Sequence, residues 1–130
     1  MLIRFATSDD KATVLALLDE LGEEIDRKAG YSPRNAEARA VGAPLFDEVV
    51  SRKDTLVFVA DDNGNLLGLV SLYIIPNMRH GSHRGHIEDF VVSEAARGRG
   101  VGTKLFDAVK AYCKEHGIRT IKTRQRPSSR

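Results

Sequence analysis

The chain opens on a short apolar run, Leu2 to Ala6, which predicts a first strand. Thr7 or Ser8 then offers a capping oxygen, and Asp9 and Asp10 place negative charge in a first helical turn. Val14, Leu17, Leu18, Leu21 and Ile25 recur at helical spacing, so a first helix is expected from about Ser8 into the early twenties. Asp19, Glu20, Glu23 and Glu24 fall on its other face, toward water. Residues 28–35 carry Gly30, Ser32 and Pro33 and read as a loop. A second helical stretch, Asn35 to Ser51, sets Val41, Leu45, Val49 and Val50 on one side, with a break or kink expected at Gly42 and Pro44.

From Thr55 the period changes to that of strands. Thr55 to Ala60 and Leu66 to Ile75 are β-rich runs joined by Asp61-Asp62-Asn63-Gly64-Asn65, and Asn-Gly between such runs predicts a hairpin. Pro76 should end the second run, and Asn77 to Gly85 reads as a polar, flexible connection. Ile87 to Val92 is the next strand. Val101 to His116 is a helix with Val101, Leu105, Val109, Tyr112 and Cys113 on one face, ended by Gly117, and Ile118 to Thr123 is a last strand. A closing strand–helix–strand unit implies a parallel pair. The order therefore predicts an α/β sandwich whose mixed sheet has a three-stranded antiparallel part and a parallel pair of strands four and five.

Composition bounds the function without naming it. The chain has 130 residues, 42% of them hydrophobic and 29% charged, enough for one domain with a core of its own. Residues 1–123 are expected to form the folded core and 124–130 a basic tail. The single cysteine, Cys113, allows no internal disulfide and suits a reducing compartment; its place on the apolar stripe makes it core filling. No apolar stretch approaches the ~20 residues that span a bilayer, and no secretory signal opens the chain, so a cytoplasmic protein without membrane partners is expected. A net charge of +2 gives no case for nucleic acid, and the cluster Lys114, Arg119, Lys122, Arg124, Arg126 and Arg130 reads as a solvated surface.

One motif stands out: Arg97-Gly98-Arg99-Gly100-Val101-Gly102-Thr103, between a strand and a helix. A helix start presents N–H groups and partial positive charge; glycines admit close approach, and arginines add forked donors. The predicted ligand carries a phosphate or pyrophosphate. Two familiar loops are excluded, since Gly102-Thr103-Lys104 is in the wrong order for a P-loop and Thr103 replaces the third glycine of the dinucleotide fingerprint.

What remains, Arg97-x-x-Gly100-x-Gly102 after the strand Ile87-Glu88-Asp89-Phe90-Val91-Val92, resembles the acyl-coenzyme-A loop of the GNAT superfamily of N-acetyltransferases. It is closest to the polyamine and aminoglycoside acetyltransferase branches. The match is specific over residues 84–123 and extends over 1–75 only in the order of elements. The resemblance implies acetyl-CoA as cofactor, a small-molecule or protein amine as acceptor, and direct attack of amine on thioester. Backbone groups of Phe90, Val91 and Val92 would pair with the pantetheine arm, and Arg97, Gly98, Arg99, Gly100, Val101, Gly102 and Thr103 would hold the pyrophosphate. Family members also continue with a fourth helix and two more strands, so the chain is expected to be C-terminally short, leaving a strand-five edge that a second copy could cover as a homodimer.

Alternation along the strand places His86, Glu88 and Phe90 on one face and Ile87, Asp89 and Val91 on the other. Amine acetylation needs an unprotonated nitrogen, and either Glu88 or His86 could accept its proton. The tyrosine that often protonates the leaving thiolate belongs to the missing helix, and neither Tyr112 nor Tyr73 is expected to replace it. A non-catalytic acyl-CoA-binding or interaction module is the alternative. His80-x-x-His83-x-x-His86 has a metal-like spacing, but glycines at 81 and 85 favour a solvated loop and no metal is expected. Glu23, Glu24 and Asp26 offer an acidic face for a cationic amine.

Overall fold

The strand-period residues form one five-stranded sheet, in spatial order β1 (Leu2–Phe5), β2 (Thr55–Asp62), β3 (Asn65–Asn77), β4 (Ser82–Val92) and β5 (Ile121–Thr123). The computed structural model describes residues 1–28 and 42–123. Strands β1 to β4 pair antiparallel, so β1 extends the antiparallel part to four strands, and β5 joins β4 in parallel. Helices α1 (Lys11–Lys28) and α2 (Gly42–Ser51) cover one face, and α3 (Val101–Glu115) the other. The predicted α/β sandwich with its mixed sheet is present.

Each face of the sheet has its own core. On the α3 side, Val101, Leu105, Val109 and Cys113 pack on Phe58, Ala60, Val70, Leu72 and Ile87. On the other, Val14, Leu17 and Phe46 pack on Val57, Val59, Leu69 and Val91. Alternate residues of β2 and β3 serve opposite cores, as the two-residue strand period requires. Gly68 sits where β3, β4 and α3 meet, and a Cβ there would lie 2.7 Å from the Val91 carbonyl oxygen. Tyr112, expected on the buried face, is only partly buried; its ring meets Phe58 and Phe5 edge-on and stacks on His116 at 4.0 Å.

The termini of the elements follow local chemistry. Asp10 accepts from the Thr7 N–H at 2.7 Å and from both terminal nitrogens of Arg4 at 2.8 and 3.0 Å, tying the helix start to β1. The Arg4 guanidinium holds the Asp10 carboxyl below the usual carboxylate range, partly offset by burial. A 3₁₀ turn, Ser8–Asp10, precedes α1, which runs past the expected early twenties to Lys28. The β2–β3 turn is the predicted hairpin: Asn63 and Gly64 both have positive φ, 52° and 93°, as a type I′ turn demands.

Four expectations need correction. Pro76 does not end β3. Ile74 donates its N–H to Asp54 on the β2 side, so two residues on, the N–H that proline lacks would point the same way, beyond the β2 end at Thr55. Consequently Asn77 to Gly85 is not one long connection; a turn around residues 78–81 closes a second hairpin, and β4 starts at Ser82. In α2 the buried residue is Phe46, while Leu45 is 53% exposed; Pro44 lies in the first described turn, where a missing N–H costs no hydrogen bond. The last strand is shorter than expected, because Ile118 still bonds the Cys113 carbonyl at 2.7 Å and pairing begins at Ile121. Residues 29–41, with the rest of the predicted loop and helix break, and the tail 124–130 lie outside the described residues.

Candidate active site

The glycine–arginine loop folds as its composition requires. Gly98 and Gly100 have φ of 85° and 78°, values that a side chain would resist, and Gly100 is the N-cap of α3. A glycine cap has no side chain to occupy the helix's first N–H groups, and Lys104 is the first to bond back, to the Gly100 carbonyl at 3.2 Å. Gly98, Arg99, Gly100 and Thr103 are exposed and Val101 is buried as the helix's anchor. A Cβ on Gly102 would stand 3.6–3.9 Å from Val92 and Phe90, ordinary contact, so the helix start rests directly on the end of β4. Arg97 donates to the Val92 carbonyl at 3.3 Å, and Arg99 reaches Asp62 at 3.6 Å. The loop is braced from behind, since the Glu20 carboxylate accepts from the Glu94 N–H at 3.2 Å; Glu20 does more than face water.

Alternation fails in β4, and the failure shapes the site. Val70 pairs with Phe90 and Leu72 with Ile87, so Ser71 alone opposes both Glu88 and Asp89. This is a β-bulge, and it resets the pleat. Ile87, Phe90 and Val92 all pack toward α3, while Asp89 and Val91 face α1 and α2. The expected grouping of Phe90 with His86 and Glu88, and of Ile87 with Asp89 and Val91, is therefore wrong. The extra residue takes the Asp89 N–H off the strand ladder, and the Ser71 hydroxyl accepts it at 2.9 Å. Among the described residues β5 pairs with β4 only at Gly85, His86 and Ile87, upstream of the bulge.

The bulge gathers five polar side chains. His86 Nε2 lies 3.1 Å from Glu88 Oε1, with each side chain about a quarter exposed (24% and 25%). Tyr73 pairs across from His86; burial raises its phenol pKa, helped by the negative charges of Asp89 and Glu88. Ser71 Oγ approaches Asp89 Oδ2 at 3.4 Å. The sequence picked out His86 and Glu88; it missed Asp89, Ser71 and Tyr73 as members of the site. No local signal marks them, because a bulge is defined by the partner strand.

The remaining candidates separate. His83 lines a cleft with Tyr112 and His116 on the α3 side, whereas His86 meets Glu88 on the opposite face. Among the described residues no group of three or more His, Cys, Asp or Glu is placed to hold a metal. Cys113 is buried in the α3 core and burial raises its thiol pKa, the reverse of nucleophile activation. The side chains of Glu23, Glu24 and Asp26 lie outside what is described. No described helix is long and apolar enough to cross a membrane.

Comparison with known proteins meets this geometry. The family model described as the acetyltransferase (GNAT) family matches residues 18–128. The chain belongs to the GNAT family of acetyltransferases. It is 28% identical over 116 residues to the aminoalkylphosphonate N-acetyltransferase of Salmonella typhimurium, covering 88% of this chain and 68% of that one. It is 29% identical over 120 residues to the probable glucosamine 6-phosphate N-acetyltransferase 2 of Oryza sativa subsp. japonica, covering 88% and 66%. The chain thus spans about two thirds of the length of these relatives. Among solved structures, a transcriptional regulator from Bacillus halodurans C-125 superposes with a TM-score of 0.81 at 26% identity, over 97% of this GNAT chain and 82% of the other. These GNAT likenesses confirm the family that the loop and its flanking strand resembled, and the mixed-sheet fold.

Proposed function

We propose that this GNAT chain transfers an acetyl group from acetyl-CoA to a primary amine. The observation that carries the proposal is the positive-φ glycine loop opening α3 against the end of a bulged β4. The N–H groups from Gly98 to Thr103 bind the pyrophosphate, with Arg97 and Arg99 adding positive charge. Backbone groups of Phe90, Val91 and Val92 pair with the pantetheine arm, and an N–H there polarises the thioester carbonyl as it takes on negative charge. The chain, 1–130, acts as a single acetyltransferase domain, and a reducing, cytoplasmic setting suits the buried Cys113.

The His86–Glu88 pair removes the proton from the incoming ammonium, directly or through one water. The neutral nitrogen then attacks the thioester carbon, the C–N bond forms, the C–S bond breaks, the nitrogen sheds its second proton to water, and the CoA thiolate takes a proton from solvent. Both named relatives are N-acetyltransferases, which supports an amine acceptor. Thiol release from acetyl-CoA, followed against pH with a panel of primary amines, is the test. Amine-dependent release is expected, with Glu88→Gln lowering kcat/KM by about 100-fold and flattening the acidic limb of the profile. Absence of release with every amine refutes the activity; a Glu88→Gln profile parallel to wild type refutes the proton role.

A further inference from the structure

We infer that the acceptor is a primary amine carried on a small apolar body, seated between α1, α2 and the sheet with its nitrogen at the bulge. The inference rests on the N-acetyltransferase reading and names its substrate class. A cavity of about 190 Å³ lies there. Its walls are Leu15 and Leu18 of α1 and Leu45 and Phe46 of α2, and its polar end is Asp89 beside Tyr73. The two ends ask for different chemistry. A carboxylate backed by the Ser71 hydroxyl and a half-buried phenol suits an ammonium group. The aliphatic and aromatic walls suit hydrocarbon, at about 25 cal/mol per Å² covered.

Two further observations narrow the occupant. The cavity is below the ~300–1,000 Å³ of drug-sized ligand pockets, so the body is small. Leu45 forms part of the wall yet is 53% exposed, so a ligand seated there would cover apolar surface that the fold leaves in water.

The test compares 2-phenylethylamine with 2-aminoethylphosphonate in two readouts. In the first, methyl resonances of Leu18, Leu45 and Val49 are followed during titration of the full chain saturated with CoA. In the second, thiol release from acetyl-CoA is measured. We expect 2-phenylethylamine to shift those methyls saturably and to have at least 10-fold the kcat/KM of the phosphonate. Leu45→Lys, at an exposed position that tolerates change, should lower kcat/KM for 2-phenylethylamine about 10-fold and raise it for the phosphonate. Preference for the phosphonate, with 2-phenylethylamine inert and the methyls unmoved, overturns the acceptor class and leaves the acetyltransferase standing. No thiol release with either compound or with any amine of a wide panel overturns the acetyltransferase reading and this inference with it.

Discussion

On the α3 side of the sheet, Leu105, Val109, Leu72 and Ile87 are 0–1% exposed and the core is closed. On the α1 and α2 side the same strands carry the bulge, a cavity, and the polar cluster of Ser71, Tyr73, His86, Glu88 and Asp89. Both sides bury apolar residues; the α3 side has its cleft at the far end of the helix, by Tyr112 and His116, whereas the other side opens between its helices against the bulge. The difference comes from the helices. One α3 residue in about four points at the sheet without interruption, from Val101 to Cys113. The opposite cover is shared by two helices, joined along one flank by the Lys11–Asp47 ion pair at 2.8 Å, and the cavity opens between them. The closed face supplies stiffness, and the open face supplies chemistry.

Mutations should separate the two faces. The largest effect is expected from Leu105→Ala, which removes a fully buried side chain from the closed core; about 3 kcal/mol should be lost, read from the denaturant midpoint. Leu45→Ala on the open side should cost within about 0.5 kcal/mol. Equal losses would erase the contrast. Next comes Ser71→Ala, which takes the acceptor from the bulged Asp89 N–H and should cost about 1.5 kcal/mol while the α3 core keeps its hydrogen-exchange protection. If the cost is negligible, the hydroxyl does not hold the bulge.

The smallest effect belongs to the frame outside both faces. Asp10 has a lowered pKa in the fold, chiefly from its hydrogen bonds to Arg4. The stabilisation is therefore complete above the ordinary carboxylate range and drains away as pH falls through the lowered folded value. Asp10→Asn should cost about 1 kcal/mol at pH 7, and the gap from wild type should close in acid. A gap that stays constant from pH 7 to pH 3 would show that the ion pair is not its source.

What was legible in the sequence was what neighbours along the chain decide. Asn63-Gly64 made its turn, the Val101–Cys113 stripe made its helix, and three glycines beside two arginines made a loop at that helix's start. What was not legible depends on a second strand. Pro76 fits within β3 because β2 stops short of it, and residues 82–86 become strand because β3 lies alongside, despite their polar composition. The bulge at Glu88 and Asp89 exists only against Ser71, so strict alternation sent Asp89 to the wrong group and hid the residue that ends the cavity. Leu45 and Phe46 are both apolar, and only the packed helices decide which one is buried.

The grip of the α3 loop on a diphosphate is the claim that everything else needs, and titration calorimetry with acetyl-CoA measures it directly. Gly102 is the position to vary, because its backbone is helical and a side chain there meets only ordinary contacts, whereas Gly100 at φ 78° would report strain as well. The wild-type chain should bind acetyl-CoA with one site, Gly102→Ala should still bind, and Gly102→Asp should lose at least 10-fold in affinity through repulsion of the pyrophosphate. Equal affinity of Gly102→Asp and wild type, or no heat from the wild-type chain at all, would contradict the account.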